Sequence, residues 1–590
     1  MIRKYVLIFC LFLGFIPLSR SQYLDSAAYQ EAWASLQVAD PAGRLPLSVA
    51  LAQKIAYLEL PDDDFDQAYQ YLSKYLPLPR HSLSDDLEGY QELVIAVPAD
   101  LSASEREKIT NLAQRKSTTI LQFGESAGES TWSAAKVVIR ASKTPEAQSL
   151  AAQVVFGGVK PEDWSAGSRL GYAPPALLGV NAERLRDSIR AIVEEGLRKK
   201  AYPGAQVLVA HRGKVIYHQA FGYHTYDSTR ATQLTDIYDL ASVTKVSSGL
   251  AALMKWYGEG DFDLEAPLKK YYPDFEGSNK ADLPLRKILA HQARLRPWIP
   301  YWQGTLRGNA KYPWRRRWKS GVNNDFRFKW ATLSPDSSAR FPIYLSDGLY
   351  QHRNFRQEMM KAIRKSPLNE EPGYVYSGLF FYLLPDIVAE KAGMDYEAYL
   401  KENFYHPLGA YTLTFNPLRF YPKDRIVPTE VDTFFRMTTI HGYVHDEGAA
   451  MMNGVSGNAG LFSSANDLAK LFQMYMNKGS YGGQQFISEY ALNEFAQCQY
   501  CPKDNRRGLG FDKPLIEYDA RASSVAEAAS PNSFGHSGYT GTFAWVDPDA
   551  ELLFIFLSNR VHPTRNNRKL YQLNIRPRIH TVLYEAIKTN

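Results

Sequence analysis

The stretch LASVTKVSSG, Leu240–Gly249, places a serine and a lysine three positions apart, just before LAALMKWYGEG, a run typical of a helix. Three residues are close to one helical turn, so the amine of Lys245 can reach the hydroxyl of Ser242 and accept its proton. The first turn of a helix also offers backbone N–H groups to a developing negative charge. The stretch therefore predicts a serine nucleophile with a lysine activator.

Ser-x-x-Lys alone is a weak signal, since about one or two matches are expected by chance in a chain of this size. A second match, Ser133 to Lys136, runs directly into VVIRA, which predicts a strand. The two side chains would not share a helical face there, so we retain only Ser242 and Lys245.

Two further motifs downstream could complete a serine hydrolase site. PGYVYSGLFFYLL presents Tyr376 two residues before Gly378 and ahead of an apolar helix, where its hydroxyl can pass a proton. FGHSGYTGTFAWVDP presents His536, Ser537 and Gly538 at the predicted start of a strand, and its glycines let a ligand approach the backbone. A strand edge of this kind can hold the substrate and complete an oxyanion hole.

In this order, the three motifs resemble those of the class C β-lactamase, penicillin-binding protein and carboxylesterase superfamily. The resemblance runs from about Val180 to the C-terminus, and IYDLASVTK, ILAHQARL, VHDEGAAMM and GNAGLFSSANDLAKLFQMYMNKG add to it. It implies a covalent acyl-enzyme mechanism without metal or organic cofactor. Ser242 would attack a carbonyl, and Lys245 and Tyr376 would move its proton.

The resemblance also implies roles for the last motif. The N–H groups of Ser242 and Tyr539 would hold the oxyanion, while His536, Ser537 and Gly538 would orient the substrate or its carboxylate.

The sequence departs from the superfamily pattern at two positions. Gly378 stands where the tyrosine motif has Asn or Asp, so one hydrogen-bonding partner of the lysine and substrate is missing. Arg294, in HQARL, stands where a glycine is common. Both departures bear on rate and substrate preference, above all on β-lactam hydrolysis.

The region before this resemblance alternates apolar runs (KIAYLEL, ELVIAVP, TTILQFG, AKVVIRA) with helix-like stretches (DFDQAYQYLSKYL, SEREKITNLAQR). This alternation predicts an α/β sandwich with a mostly parallel sheet, which we assign to residues 22–178. GYAPPALLGV interrupts both periodicities and is typical of a linker, with a boundary near Gly179.

Two stretches of this region, DPAGRLPLSVALAQKIAYLEL and SLAAQVVFGGVKPEDWSAGSRLGYAPP, resemble the C-terminal α/β sandwich domain of family 3 glycoside hydrolases. In some exported Bacteroidetes proteins that domain is fused to a β-lactamase-like domain. The barrel with the glycosidase nucleophile is not found in this sequence, so we do not expect glycosidase activity. The fusion favours peptidoglycan fragments as ligands by association only.

Residues 179–590 are predicted to form a β-lactamase/transpeptidase-like domain, with an antiparallel sheet flanked by helices and an all-helical subdomain. NAERLRDSIRAIVEEGLRKK predicts its first helix, and GAQVLVAHRGKVIYHQAFG predicts a hairpin that turns at Arg212-Gly213. Weak periodicity at 296–367 predicts an insertion, either a solvated excursion or a lip over a cleft. The fold class is therefore α/β plus α+β.

The first 21 residues are typical of a secretory signal peptide. Arg3 and Lys4 precede an apolar stretch that is too short to span a bilayer, and we expect cleavage after Ser21. No later run is long and apolar enough to cross a membrane, so we expect an exported, periplasmic or extracellular protein. In that compartment Cys498 and Cys501 are predicted to form a small local disulfide or to remain two free thiols.

Charged clusters give little reason to expect other partners. A net charge of +6 over 590 residues does not favour nucleic acid binding. The aromatic and basic run Trp314–Lys319 fits a solvated face better than contact with an anionic muropeptide. His441 and His445 have a spacing that can bind metal on a helix, but Gly442 weakens that helix and favours a structural or site-edge role.

We therefore expect an exported serine hydrolase, acting as a D-alanyl peptidase or esterase on cell-wall material. The alternative is a catalytically weak muropeptide-binding protein that uses the same cleft. The sequence leaves the bond, the substrate and the oligomeric state open.

Overall fold

The structure is a computed structural model that describes residues 24–588, apart from residues 53, 61–63, 125–131, 307–327, 330 and 504. The predicted signal peptide and the basic run Trp314–Lys319 lie outside these residues. Within the described ranges, no helix combines the length and the apolar character that crossing a bilayer requires.

The N-terminal region forms an α/β layer. Its elements are α1 (Ser26–Ser35), β1 (Gln37–Ala39), β2 (Ile55–Leu58), α2 (Asp66–Leu72), β3 (Arg80–His81), β4 (Glu92–Pro98), α3 (Ala103–Arg115), β5 (Ser117–Phe123), β6 (Val137–Ala141) and α4 (Pro145–Phe156). The strand order is β1-β6-β5-β4-β2-β3, and every pair is parallel except β1 with β6. This pairing confirms the predicted mostly parallel sheet. Helices cover both of its faces, and β4 is buried along its whole length.

The chain then enters a second layer. It begins with β7 (Gly171–Tyr172), α5 (Ala182–Arg198), β8 (Gly204–His211), β9 (Lys214–Gly222), β10 (Tyr238–Asp239), α6 (Thr244–Ser247), α7 (Gly249–Gly258), α8 (Leu268–Tyr271) and α9 (Leu285–Leu289). The predicted hairpin is confirmed: β8 and β9 are antiparallel, and Arg212 and Gly213 between them have φ of +50° and +72°. Positive φ at both central residues matches the right-handed twist of the flanking strands.

The next elements begin inside the predicted insertion, 296–367, so its described part carries regular structure. The chain continues with β11 (Leu333–Ser334), β12 (Ile343–Ser346), β13 (Leu349–Gln351), α10 (Phe355–Lys365), α11 (Leu384–Ala392), α12 (Tyr396–Leu400), α13 (His406–Leu408), β14 (Thr414–Phe415), β15 (Glu430–Val431), β16 (Thr439–Ile440), α14 (Glu447–Met451), β17 (Leu461–Ser463) and α15 (Ala465–Met476). Phe355, Met359 and Ile363 of α10 are buried, and the amide of Gln351 donates to the carbonyl of Met451 at 2.7 Å. Within its described residues the insertion is therefore packed onto the protein, and a purely solvated excursion is the wrong interpretation there.

The last elements close the antiparallel sheet. They are β18 (Ser480–Tyr481), β19 (Gln484–Gln485), α16 (Glu489–Ala496), β20 (Phe534–Ser537), β21 (Phe543–Asp547), β22 (Leu552–Ser558), α17 (Lys569–Gln572) and α18 (Ile575–Lys588). The order is β20-β21-β22-β8-β9-β7, antiparallel except for β7 with β9. Apolar residues of α5 and α18 pack on one face and those of α15 on the other, so the predicted helix-flanked sheet is confirmed. After α16, Cys498 and Cys501 form a disulfide.

The segment predicted as a linker joins the two layers tightly. β7 precedes the expected boundary at Gly179, yet it pairs with β9 in the antiparallel sheet. The amine of Lys214, 1 % exposed, donates to the carbonyls of Gly158 at 2.7 Å and Ala166 at 3.2 Å. One hydrophobic cluster includes residues of both layers, so the layers share a core.

We expect Lys214→Met to destabilise the protein. The change leaves two carbonyls of the N-terminal layer without this donor, which lowers the free energy of unfolding by about 1–3 kcal/mol. Urea denaturation measures the loss, and Lys287→Met, at an exposed lysine, serves as a control with a change within about 0.5 kcal/mol. If the urea midpoint of Lys214→Met equals that of the unmodified protein, the junction does not depend on this amine.

Candidate active site

Ser242 lies on a strained turn between β10 and α6. A short 3-10 helix, Ala241–Val243, carries it, and Ala241 has a φ of +46°, which is unusual for a residue with a side chain. Asp239 holds this turn, because its Oδ1 accepts from the N–H of Ala241 at 2.8 Å and its Oδ2 from the N–H of His445 at 2.6 Å. Strain of this kind persists only where the surroundings fix it, and it is common at functional sites.

The lysine predicted to activate the serine is in contact with it. Lys245 is 2 % exposed, and its Nζ lies 3.1 Å from Oγ of Ser242. The same amine donates to the carbonyl of Asn458 at 2.8 Å. The predicted helix is not continuous, since α6 ends at Ser247, and Ser248, with φ and ψ of −130° and −114°, separates it from α7. This break leaves Ser242 and Lys245 together on one short helical segment.

Tyr376 adds a phenol to the same pocket. Its hydroxyl is buried and has no hydrogen-bond partner among the described residues. The amine of Lys245 lies 5.4 Å from the centroid of its ring, and the rings of His291 and His536 lie at 4.7 Å and 6.0 Å. A buried hydroxyl without a partner can exchange a proton with a bound ligand.

The third motif stands at the end of a strand, so its predicted position at the start of a strand is wrong. β20 ends at Ser537, and His536 is paired with Ala544 across the hairpin. The apolar run FAWV of β21 is visible in the sequence, whereas β20 has only four residues, FGHS, too few to be recognised as a separate strand.

The hairpin between β20 and β21 is tied to the turn that carries Ser242. The hydroxyl of Thr540 donates to the carbonyl of Asp239 at 2.8 Å, and that of Thr542 to the carbonyl of Leu240 at 2.9 Å. A Cβ at Gly538 would lie 2.4 Å from the carbonyl oxygen of Leu240. Only glycine therefore allows the two backbones to approach this closely.

Two backbone donors are available beside the nucleophile. In the described part of the chain, neither the N–H of Ser242 nor that of Tyr539 has a hydrogen-bond acceptor. The side chain of Tyr539 is 42 % exposed, and its ring stacks on His445 with centroids 5.7 Å apart. The contacts between the hairpin and the turn thus place these two donors on adjoining segments.

Arg507 was not predicted from the sequence, and the structure places it beside the predicted residues. Arg507 is 6 % exposed, and its guanidinium lies 5.1 Å from the ring centroid of Tyr376 and 3.4 Å from Nε2 of His536. Its Nε lies 3.2 Å from the hydroxyl of Tyr374 and 3.4 Å from Oδ1 of Asp512. A buried, permanently charged group of this kind can bind a carboxylate.

His536 is a neutral hydrogen-bonding group in this setting. Burial, with the nearby charges of Arg507 and Lys245, lowers its pKa to about 3. Its Nδ1 lies 2.7 Å from the carbonyl of Ser537, to which only an N–H can donate. Nε2 then carries the lone pair that faces Arg507.

His291, in the stretch ILAHQARL, is a second neutral histidine in the pocket. Its Nδ1 accepts from the N–H of Ser377 at 3.2 Å, and burial lowers its pKa well below the ordinary value, with further contributions from Arg507 and His536. Its Nε2 is buried without a partner in the described structure. The sequence marked this stretch by resemblance alone and gave the histidine no role.

The two departures from the superfamily pattern have structural explanations. Arg294 has a φ of +60°, where glycine is favoured, and its guanidinium donates to the carbonyls of Asn369 and Glu370, both at 2.6 Å. A Cβ at Gly378 would meet only Asn458, whose Cβ lies 4.0 Å away. Asn458 is thus the neighbour of the missing side chain and also the carbonyl partner of Lys245.

His441 and His445 have separate backbone and carboxylate partners and do not lie on a helix. Nε2 of His441 lies 2.6 Å from the carbonyl of Ile426, and Nε2 of His445 lies 2.7 Å from Oε2 of Glu430. Among the described residues, no group of three or more His, Cys, Asp or Glu is arranged to hold a metal ion. Both contacts fit the structural or site-edge role.

Comparison with known proteins identifies a family for most of the chain. The Beta-lactamase family model matches residues 189–575. A protein of Escherichia coli with the name "Putative D-alanyl-D-alanine carboxypeptidase" is 28 % identical over 417 residues, which is 66 % of this chain and 85 % of that protein. A protein of Salmonella newport with the same name is 29 % identical over 392 residues, 62 % of this chain and 81 % of that protein.

Solved structures give weaker similarities. A penicillin-binding protein homologue from Caulobacter crescentus covers 68 % of this chain and 97 % of its own, with 16 % identity and a TM-score of 0.45. EstCE1, a hydrolase with promiscuous acyltransferase activity, covers 68 % of this chain and 99 % of its own, with 17 % identity and a TM-score of 0.47.

We expect the ring of His536 to stay neutral from about pH 5 to 8, the range in which an ordinary histidine titrates. Arg507→Met should raise its pKa, because a positive charge next to the imidazole is removed. ¹H–¹⁵N NMR of the imidazole ring measures the protonation state of His536 and the change of its pKa in Arg507→Met. The signals are assigned by comparison with His536→Asn. Arg506→Met is the matched control, since Arg506 also pairs with Asp512, whereas it is the guanidinium of Arg507 that lies 3.4 Å from Nε2 of His536. An ordinary titration in the unmodified protein would contradict the buried site.

Proposed function

Because the chain belongs to the Beta-lactamase family, we propose that it is an exported serine hydrolase that cleaves amide or ester bonds through an acyl-Ser242 intermediate. The observation that carries this proposal is the 3.1 Å contact between Nζ of Lys245 and Oγ of Ser242 on a strained turn. The preferred reaction is that of a D-alanyl peptidase or esterase on cell-wall material. The names of the curated relatives support the peptidase reaction, and the residues before Ser21 support export.

The first chemical step is attack by Oγ of Ser242 on the substrate carbonyl carbon. The amine of Lys245 accepts the hydroxyl proton as the new C–O bond forms. The carbonyl oxygen becomes an oxyanion, which the N–H groups of Ser242 and Tyr539 stabilise. The carbonyl of Asn458 orients the lysine during the transfer.

The second step expels the leaving group. Tyr376, whose hydroxyl has no partner among the described residues, passes a proton to the departing amine or alcohol and recovers it from Lys245. The bond to the leaving group breaks and leaves an ester on Ser242. A water molecule then attacks this ester, with the same groups acting in the reverse order.

The charges of the pocket favour a substrate with a free carboxylate. Arg507 is a buried cation, whereas His291 and His536 beside it are neutral. A carboxylate near Ser537 would meet Arg507 and the backbone of β20. The terminal carboxylate of a D-alanyl peptide has this chemistry.

A second candidate function is a muropeptide-binding protein with little turnover. The observation that favours it is Gly378, which supplies no amide to the lysine or substrate. This protein would bind cell-wall peptides equally well after Ser242→Ala and would not hydrolyse any ester.

For the N-terminal layer, residues 22–178, we propose a supporting role. The contacts of Lys214 and the shared core support this role. The similarity to family 3 glycoside hydrolases remains a proposal about its origin.

Ser242→Ala is expected to abolish acylation and turnover. A fluorescent penicillin or a phosphonate should add its mass to the unmodified protein in intact-mass spectra, and a short-chain nitrophenyl ester should be hydrolysed. Loss of the nucleophile should reduce turnover by about 10³-fold or more. Ser133→Ala, in the exposed second Ser-x-x-Lys match, is the matched control and should behave as the unmodified protein.

Labelling that persists in Ser242→Ala would contradict the assigned nucleophile. Binding of a muropeptide without any adduct or turnover in the folded protein would favour the second candidate function.

Gly378→Asn is expected to increase the rate of acylation by a penicillin about 2- to 10-fold, the value of one restored hydrogen bond. The site can accept a side chain, because no positive φ is required and the nearest atom to an added Cβ is at 4.0 Å. Gly378→Ala is the control, since it adds the Cβ without the amide. Equal rates in the two variants would show that Asn458 already supplies what the missing side chain would provide.

A further inference from the structure

A second cleft lies where the N-terminal layer meets the outer edge of the antiparallel sheet. Its volume is about 390 Å³, part of which is open to solvent. The space in it that water can occupy has room for roughly two water molecules. Its lining contains a lysine and a histidine but no acidic residue, and comes from the end of α2, from β7 and the residues after it, and from β9.

Lys74 is the charged group of this cleft. Its Nζ lies 3.7 Å from the ring centroid of Tyr71 and 4.3 Å from that of Tyr172. Among the described residues the amine has neither an ion pair nor a hydrogen bond, and burial lowers its pKa to about 7. The two rings favour the ammonium form, but no anion balances it.

His218 is the second polar group. Both of its ring nitrogens are buried without a hydrogen-bond partner in the described structure. Burial, with a contribution from the charge of Lys74, lowers its pKa to about 3, so the ring is neutral and carries one N–H. Buried polar atoms are rarely left unpaired, and an unpaired donor beside an unpaired cation indicates a place for an anion.

The edge of the sheet is open at this point. β7 pairs with β9 only at Lys214 and Val215, and from residue 217 to 222 β9 pairs with β8 alone among the described strands. Residues 216–219 of this edge line the cleft. A ligand with a chain attached to its anionic group can therefore lie along the strand.

We propose that this cleft binds a carboxylate, with the Lys74 ammonium as counter-ion and the N–H of His218 as the second donor. The space that water can occupy fits a carboxylate group, and a single cation balances one negative charge rather than the two of a phosphate dianion. The proposal is independent of the role of Ser242. The carboxylate can belong to a free small acid or to the C-terminus of a peptide, and the experiment separates these sources.

The experiment follows the ring signals of His218 by ¹H–¹⁵N NMR in the full chain, with the signals assigned by His218→Asn. Acetate, D-alanine, a tripeptide and the same tripeptide with a C-terminal amide are added to the Ser242→Ala protein at constant ionic strength. We expect saturable shifts with acetate, and Lys74→Met should weaken binding about 10-fold or more. Lys287→Met, an exposed lysine, and Arg507→Met should leave the shifts unchanged, because neither residue lines this cleft.

The series also decides the source of the carboxylate. Equal affinity for acetate, D-alanine and the tripeptide assigns the cleft to small acids. Tighter binding of the tripeptide, lost in its amide, assigns it to a peptide C-terminus. The proposal is overturned if no carboxylate gives a saturable shift, if chloride gives a shift equal to that of acetate, or if binding survives Lys74→Met. If Lys74→Met does not fold, Lys74→Gln is used and judged by the same criterion.

Discussion

The hydrogen bonds between the β20–β21 hairpin and the turn at Asp239 and Leu240 are the constraint on which the site depends. Thr540 and Thr542 join the two segments, and Gly538 allows the approach because any Cβ there would collide with the carbonyl of Leu240. The same turn forces Ala241 into a left-handed conformation, which Asp239 stabilises. Without this junction the nucleophile and the N–H groups of the hairpin would belong to two unconnected surfaces.

The electrostatics of the pocket follow from burying the guanidinium of Arg507 beside Lys245 and two histidines. Burial disfavours the charged forms of His291 and His536, and the charge of Arg507 adds to this effect, so both rings are neutral and act as hydrogen-bonding groups. Asp512 contacts Arg507, while Lys245 contacts a backbone carbonyl. The pocket is therefore suited to an anionic substrate or to a transition state with developing negative charge.

The sequence was sufficient for features with a local signal. The buried run of β4, the hairpin at Arg212-Gly213 and the spacing of Ser242 and Lys245 each depend on neighbouring residues, and all have the expected geometry. Features that depend on distant contacts could not be predicted in this way. β7 is two residues long, too short to show alternation, and Arg507 reaches Tyr376 only through the tertiary fold.

The missing side chain at Gly378 changes the local packing less than the motif suggests. Asn458 occupies the neighbouring space, and its own amide donates to Asp446 at 3.3 Å while its carbonyl holds Lys245. Because Asp446 also caps α14 by accepting from the N–H of Ala449, the position of Asn458 is fixed by a helix terminus. The lysine is thus oriented by backbone and helix contacts that do not require an amide at position 378. The departure from the pattern therefore concerns the substrate side of the pocket more than the nucleophile.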